Sequence, residues 1–123
     1  MGVRIDLPTA GYLGAVQNSF VTITESGDLG VNTIYLLGGD VAYTLQLPQG
    51  SDSSGTNYDP DLAPGDRIIM KRVAPVLTGN TITIAANTGT IDGLTDNILI
   101  NDGDTIATFV YVGSATVAQW ILI

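Results

Sequence analysis

Thr81-Ile82-Thr83-Ile84, a break from Asn87 to Gly89, Thr90-Ile91 and then Asp92-Gly93 is the stretch that decides the fold. Its β-branched residues alternate with period two, the mark of a half-buried strand, and Gly, Asn and Asp close each run. The pattern continues through Asn97-Ile98-Leu99-Ile100, the turn Asn101-Asp102-Gly103-Asp104, Ala107 to Val112, a Gly113-Ser114 break and Gln119 to Ile123. Asp-Gly occurs twice, and it is the strongest short-range hairpin signal because both central residues of a type I′ turn need positive φ. Working back, similar runs span Phe20 to Thr24, Thr33 to Leu37, Ala42 to Pro48 and Asp66 to Val73, divided by Ser26-Gly27-Asp28 and Gly38-Gly39-Asp40. In the Asp66–Val73 run, Ile68, Ile69 and Met70 are adjacent and apolar, which places that strand near a sheet centre. No segment has helical periodicity. The expected fold is all-β, a small antiparallel β-sandwich or barrel.

The chain has 123 residues, suited to one domain that buries roughly two-thirds of its unfolded surface. Residues 1–20 differ from the rest. Val3-Arg4-Ile5-Asp6-Leu7 alternates, Pro8 stops it, and Gly11 and Gly14 then argue against a stable helix. This segment reads as an extended N-terminal arm, or equally as a first strand, and residues 21–123 read as a single β domain. Within the domain, residues 49–65 are Ser, Asp, Gly, Asn and Pro around Tyr58 and Leu62. Loops of that length are typically functional or mobile.

Composition narrows the functions. Charged residues are 13% of the chain and hydrophobic ones 45%, against about 25% charged in an average soluble domain. Self-association is expected to cover part of the surface, with solvation by Thr, Ser, Asn and Gln as the plainer explanation. The net charge of −8 is repelled by phosphate backbones, so no nucleic-acid partner is expected. Three of the four bases, Arg67, Lys71 and Arg72, fall within six residues. They form either a positive spot facing an acidic neighbour or a solvated strand edge, where cations discourage stray pairing; the edge is the simpler reading. No apolar run approaches the ~18 residues that span a membrane, so no membrane partner is expected. The start also lacks the charged and apolar regions of an export signal.

Little catalytic chemistry is available. The chain has no His and no Cys, which removes the common general base, the usual triads and most zinc sites. Paired carboxylates remain, Asp59 with Asp61 or Asp102 with Asp104, but both pairs sit in turn contexts where Asp caps its own backbone. No enzymatic activity and no cofactor are expected. Calcium is the one ion the acidic loop could draw, through Asn57, Asp59, Asp61 and Asp66. The loop departs from an EF-hand, with Leu62 where the required Gly would stand and Ile68 in place of the bidentate Glu. Tyr43, Tyr58, Tyr111 and Trp120 could form a sugar platform. Tyr111 and Trp120 sit within apolar strands, so packing is their expected role, and Tyr58 alone is placed for outside contact.

Read from Tyr43, the series Tyr43-Thr44-Leu45-Gln46-Leu47-Pro48, a polar loop, Leu62-Ala63-Pro64-Gly65-Asp66-Arg67-Ile68, Asn80-Thr81-Ile82-Thr83-Ile84, Ile91-Asp92-Gly93, Thr108-Phe109-Val110-Tyr111-Val112 and Trp120-Ile121-Leu122-Ile123 resembles a small all-β module of tailed-bacteriophage virion proteins. That module occurs in capsid decoration proteins and at the tips of head or tail fibres, and the resemblance covers about 80 residues. It implies a homotrimer and a structural role in the virion. Fibre proteins usually carry a long shaft before such a module, whereas about 40 residues precede it here. A decoration or cement protein is therefore expected, bound to the major capsid protein on the outer capsid surface. Val3, Ile5, Leu7, Tyr12, Leu13 and Phe20 would form the capsid-binding arm. Phe109, Tyr111, Trp120, Ile121 and Ile123 would pack in the core or at the trimer axis, since an exposed apolar C-terminus invites aggregation. The alternative is a receptor- or glycan-binding fibre tip using Tyr58, Asp59 and Asp61 as an external contact loop.

Overall fold

The computed structural model describes residues 19–39, 41–50, 57–73, 81–87, 89–101, 105–114 and 117–123. Among them are ten strands: β1 (Ser19–Ile23), β2 (Gly27–Asp28), β3 (Thr33–Leu37), β4 (Tyr43–Gln46), β5 (Arg67–Arg72), β6 (Ile82–Ala85), β7 (Thr90–Ile91), β8 (Ile98–Ile100), β9 (Ile106–Tyr111) and β10 (Gln119–Leu122). They form a six-stranded sheet in the order β1-β3-β5-β9-β10-β7 and a four-stranded sheet in the order β2-β4-β6-β8. The protein is all-β, as its alternating pattern predicts.

The sheets are mixed, not antiparallel. β1 pairs parallel with β3 and β3 with β5, while β2 pairs parallel with β4 and β4 with β6. The cause is the path of the chain: from β1 to β6 each strand crosses to the opposite sheet, so successive strands within a sheet lie two crossings apart and run the same way. Antiparallel pairing enters late, in β5 with β9, β9 with β10 and β6 with β8.

Inward residues of both sheets share one core. Tyr35, Leu37, Ile68, Met70, Phe109, Tyr111 and Trp120 come from the six-stranded sheet, and Tyr43, Leu45, Ile82, Ile84 and Ile100 from the other. The Trp120 ring meets that of Tyr111 edge-on, with centroids 5.1 Å apart at 67°, a favoured aromatic geometry.

Turn chemistry acts where the sequence marks it. Asp92 and Gly93 have φ of 53° and 82°, and Ile91 and Leu94 exchange both backbone hydrogen bonds, at 2.8 and 3.0 Å. This is a two-residue type I′ turn. The second Asp-Gly, at 102–103, lies outside the described residues. The 49–65 loop is anchored at its base: the Gln49 N–H donates to the Asn57 carbonyl, the Asp59 N–H donates to the Gln49 carbonyl, and Leu62 is buried. Residues 51–56 of it lie outside the described residues.

Candidate assembly surface

β3, β5 and β10 carry apolar residues at consecutive positions: Ile34-Tyr35-Leu36-Leu37, Ile68-Ile69-Met70 and Trp120-Ile121-Leu122. In a pleated strand such runs put apolar side chains on both faces, the pattern of strands covered on both sides. Tyr35, Leu37, Ile68, Met70 and Trp120 turn to the core. Their neighbours face outward, and the strand registers set them in rows.

One row runs Phe20, Ile34, Ile69, Thr108 across β1, β3, β5 and β9, and the Ile123 N–H donates to the Thr108 carbonyl at 2.8 Å to extend it. A second row runs Thr22, Leu36, Lys71, Ile106, and a third Arg67, Val110, Ile121. Phe20, Ile106 and Ile123 are 71%, 65% and 76% exposed. Among the described residues no second layer covers this face. Arg67 and Lys71 are its charged groups, and no described acid stands on these rows.

The outer face of the four-stranded sheet is the internal comparison. β4 alternates strictly, and the outward residues Thr44, Gln46 and Thr83 of β4 and β6 are polar, with the small, buried Ala85 ending β6; Leu99 on β8 is the exposed apolar exception. The chain thus solvates one sheet in the ordinary way and leaves the other apolar.

The three clustered bases do not form a strand edge. β5 is an interior strand, with β3 on one side and β9 on the other, so its cations guard no free backbone. Alternation sends Arg67 and Lys71 outward and Arg72 inward. Arg72 is 1% exposed, and its Nε, Nη1 and Nη2 have no hydrogen-bond partner among the described residues. Its charge lies close enough to Tyr43 to offset part of the upward pKa shift that burial gives that phenol.

A groove of about 490 Å³ opens where β1 and β2 form adjoining edges of the two sheets. Val21, Ile23 and Tyr35 give it apolar lining, and the exposed Glu25 and Asp28 supply its charge.

Of the other residues singled out from sequence, Phe109, Tyr111 and Trp120 are fully buried within the single chain, Ile121 is half-buried and Ile123 exposed. The terminal apolar run is therefore split by the pleat rather than buried as a block. Val3, Ile5, Leu7, Tyr12 and Leu13 lie outside the described residues, and Phe20 is the first outward residue of β1. Tyr58 is 52% exposed, and the loop acids serve local turns. Asp59 Oδ1 accepts from the Asp61 N–H at 2.9 Å, and Asp66 Oδ2 accepts from the Ala63 N–H at 2.9 Å. The Asn57 side-chain amide donates to the carbonyls of Leu29 and Gln46. No group of three or more described acids converges on a common point. Asp102 and Asp104 lie outside the described residues.

Sequence reading alone missed the outer residues Ile34, Leu36, Ile69 and Ile106. The break in alternation at Ile68-Ile69-Met70 is the signal that could have found them, because one of three adjacent apolar residues has to face away from the core. No protein-family model matches the chain, and no curated protein matches it.

Proposed function

We propose that this chain is a structural virion protein of the tailed-phage kind, a capsid decoration protein that binds the outer shell as a trimer and stiffens it. The apolar outer face of the six-stranded sheet, which no second layer covers among the described residues, carries the reading, because a β module gains nothing from such a face unless another protein surface covers it. The strand-and-turn resemblance supports the same class. The mechanism is mechanical: apolar surface buried across neighbouring subunits opposes their separation. In this reading Val3, Ile5, Leu7, Tyr12, Leu13 and Phe20 grip the major capsid protein.

The test compares the full chain with one lacking residues 1–20, by light scattering and by co-sedimentation with shells of the major capsid protein from the same virus. The full chain should pellet with shells, and the shortened one should remain associated with itself but stay in solution. Equal pelleting of both would remove the arm from the capsid contact, and pelleting of neither would end the decoration reading.

A second reading is favoured by one observation, the half-exposed Tyr58 beside Asp59 and Asp61 on a loop anchored at its base. That is the form of a contact loop on a fibre tip. It calls for glycan or cell binding that Tyr58→Ala abolishes.

A further inference from the structure

We propose that, in the free chain, residues 3–7 pair in parallel with the open edge of β1 and turn Val3, Ile5 and Leu7 into the groove between β1 and β2. The proposal goes beyond the decoration reading, which gives these residues to the capsid, by assigning them a partner before any shell is met. A grip on the shell then begins with release of this strand.

From β1 to β6 the chain winds as stacked coils, each passing from one sheet to the other and back. Stacked coils bury their ends only against neighbours, so a terminal coil needs a cap. β1 and β2 make the first coil, and among the described residues nothing pairs with their outer edges. The consequence is visible in one inward row, where Val21 pairs with Tyr35 and Tyr35 with Met70. Met70 and Tyr35 are 0% and 6% exposed, whereas Val21 is 41% exposed. From Phe20 to Asp28 every residue except the half-buried Ile23 is exposed, and the groove of about 490 Å³ lies against Val21, Ile23 and Tyr35.

β1 is also a hazardous edge to leave open. Its Ser19-Phe20-Val21-Thr22-Ile23 run has no charge and no Pro, and its five residues exceed the two, two and three of the other edge strands, β2, β7 and β8. The Ile23 carbonyl accepts from the Gly38 N–H at 2.8 Å, on the β3 side. By alternation the backbone groups of Phe20 and Thr22 therefore point away from β3. An uncharged edge with free donors and acceptors is a template for another strand.

Coil length and phase single out the strand that fits. Ser19 pairs with Thr33, 14 positions on, and Gly27 with Leu45, 18 positions on, so one preceding coil of that length sets the partner of Ser19 between residues 1 and 5. Paired residues share a face, and Val21 and Ile23 face inward, so only an even displacement sends Val3, Ile5 and Leu7 into the groove. A displacement of 16 pairs Ile5 with Val21 and Leu7 with Ile23, and sets Arg4 and Asp6 outward beside Phe20 and Thr22. It also leaves Pro8, which cannot donate to a ladder, just past the strand. A displacement of 14 would bring Pro8 opposite Thr22, and one of 18 would carry Leu7 beyond the end of β1. The return path is long enough: nine residues, 24–32, link β1 to β3, and eleven, 8–18, are available here.

The chain has no Cys, so two introduced thiols have only each other as partners within it. Paired Cα atoms of adjacent strands lie about 5 Å apart, within disulfide reach. Under oxidised glutathione, Ile5→Cys with Val21→Cys should close an intrachain disulfide about tenfold faster than Ile5→Cys with Thr22→Cys, whose second thiol faces the other way. In the unsubstituted chain the amides of Phe20 and Thr22 should be protected from hydrogen exchange. Removal of residues 1–18 should quicken both by about tenfold or more and leave the Trp120 amide unchanged.

Equal closure rates in the two cysteine pairs overturn the proposal. So do disulfides formed only between chains, which would give the edge to a second copy, and free exchange of Phe20 and Thr22 in the intact chain. An intrachain disulfide at the expected rate, in a protein that fails to pellet with shells, supports the docked strand and ends the decoration reading. A protein that pellets but closes no such disulfide does the reverse.

Discussion

The indole N–H of Trp120 donates a 3.0 Å hydrogen bond to the carbonyl of Pro48, 72 positions earlier in the chain. The bond ties the last strand of the six-stranded sheet to the segment leaving β4 of the other sheet, so one side chain both fills the core and joins the layers. Trp120→Ala should cost about 3–5 kcal/mol in denaturant unfolding. Trp120→Phe keeps most of the ring but strands the Pro48 carbonyl in the interior, at about 1–3 kcal/mol. A negligible loss in Trp120→Phe would mean that the indole bond contributes nothing beyond packing.

Gly113 sits where no side chain fits. A Cβ there would lie 2.1 Å from the Val117 carbonyl oxygen, in the β9–β10 connection, and 2.7 Å from the backbone nitrogen of Gln119, the first residue of β10. The Tyr111 hydroxyl closes the same turn by donating to the Ser114 carbonyl. Gly113→Ala should therefore destabilise by several times the ~1 kcal/mol of an ordinary glycine effect. Gly27, with nothing within 4 Å of its added Cβ, is the control, and Gly27→Ala should shift the midpoint little. Matching effects at the two sites would show that the turn can open.

Strand positions were legible in the sequence; strand partners were not. Alternation at Thr81–Ile84 and the runs around Leu45 and Phe109 locate strands whose residues do face the core. The expectation of antiparallel pairing failed because Gly, Asn and Ser serve two kinds of turn equally well. Asp92-Gly93 makes a tight turn closed by the Ile91–Leu94 bridge alone. The chain from β7 to β8 still crosses to the other sheet, as it does at the Ser26-Gly27 and Gly38-Gly39 breaks. Local residues fix that a turn occurs, while burial of both inner faces fixes where it leads. Arg72 was illegible for a related reason: a base in a cluster reads as surface until the register shows that the pleat turns it inward.

Arg72 gives a prediction of opposite sign. Its guanidinium is buried, and none of its nitrogens is bonded among the described residues; an uncompensated interior charge costs several kcal/mol. Arg72→Met, which keeps the length of the side chain and removes the charge, should raise stability by about 1–4 kcal/mol. A loss of similar size would show that the guanidinium draws on a partner beyond the described residues.

Asp92 holds a turn and a strand at once. Its φ is 53°, and its Oδ1 accepts from the Leu122 N–H at 3.0 Å. Asp92→Asn preserves both the tolerance for positive φ and the acceptor, and should change the melting midpoint little. Asp92→Ala loses both, at about 1–2 kcal/mol. Hydrogen exchange at Leu122 should quicken in the Ala variant alone; unchanged exchange there would show that the carboxylate does not hold β10.

Alkaline pH probes the core directly. Burial raises the pKa of Tyr43 and of Tyr111, and for Tyr43 the nearby charge of Arg72 offsets part of the rise. Below the unfolded value of about 10 both phenols are protonated whether the chain is folded or not, so their full contribution to stability is present. Above it the unfolded chain loses protons that the folded chain keeps, and stability falls as pH climbs toward and through the raised folded values. Both phenols should stay neutral in a phenolate absorbance titration past the ordinary range and ionise only as the far-ultraviolet circular dichroism is lost. Tyr43→Phe should flatten the alkaline decline while losing the hydrogen bond to the Gly38 carbonyl, lowering stability at neutral pH. Ionisation of Tyr43 and Tyr111 within the ordinary range, with the strand signal intact, would show that water reaches both phenols in the folded state.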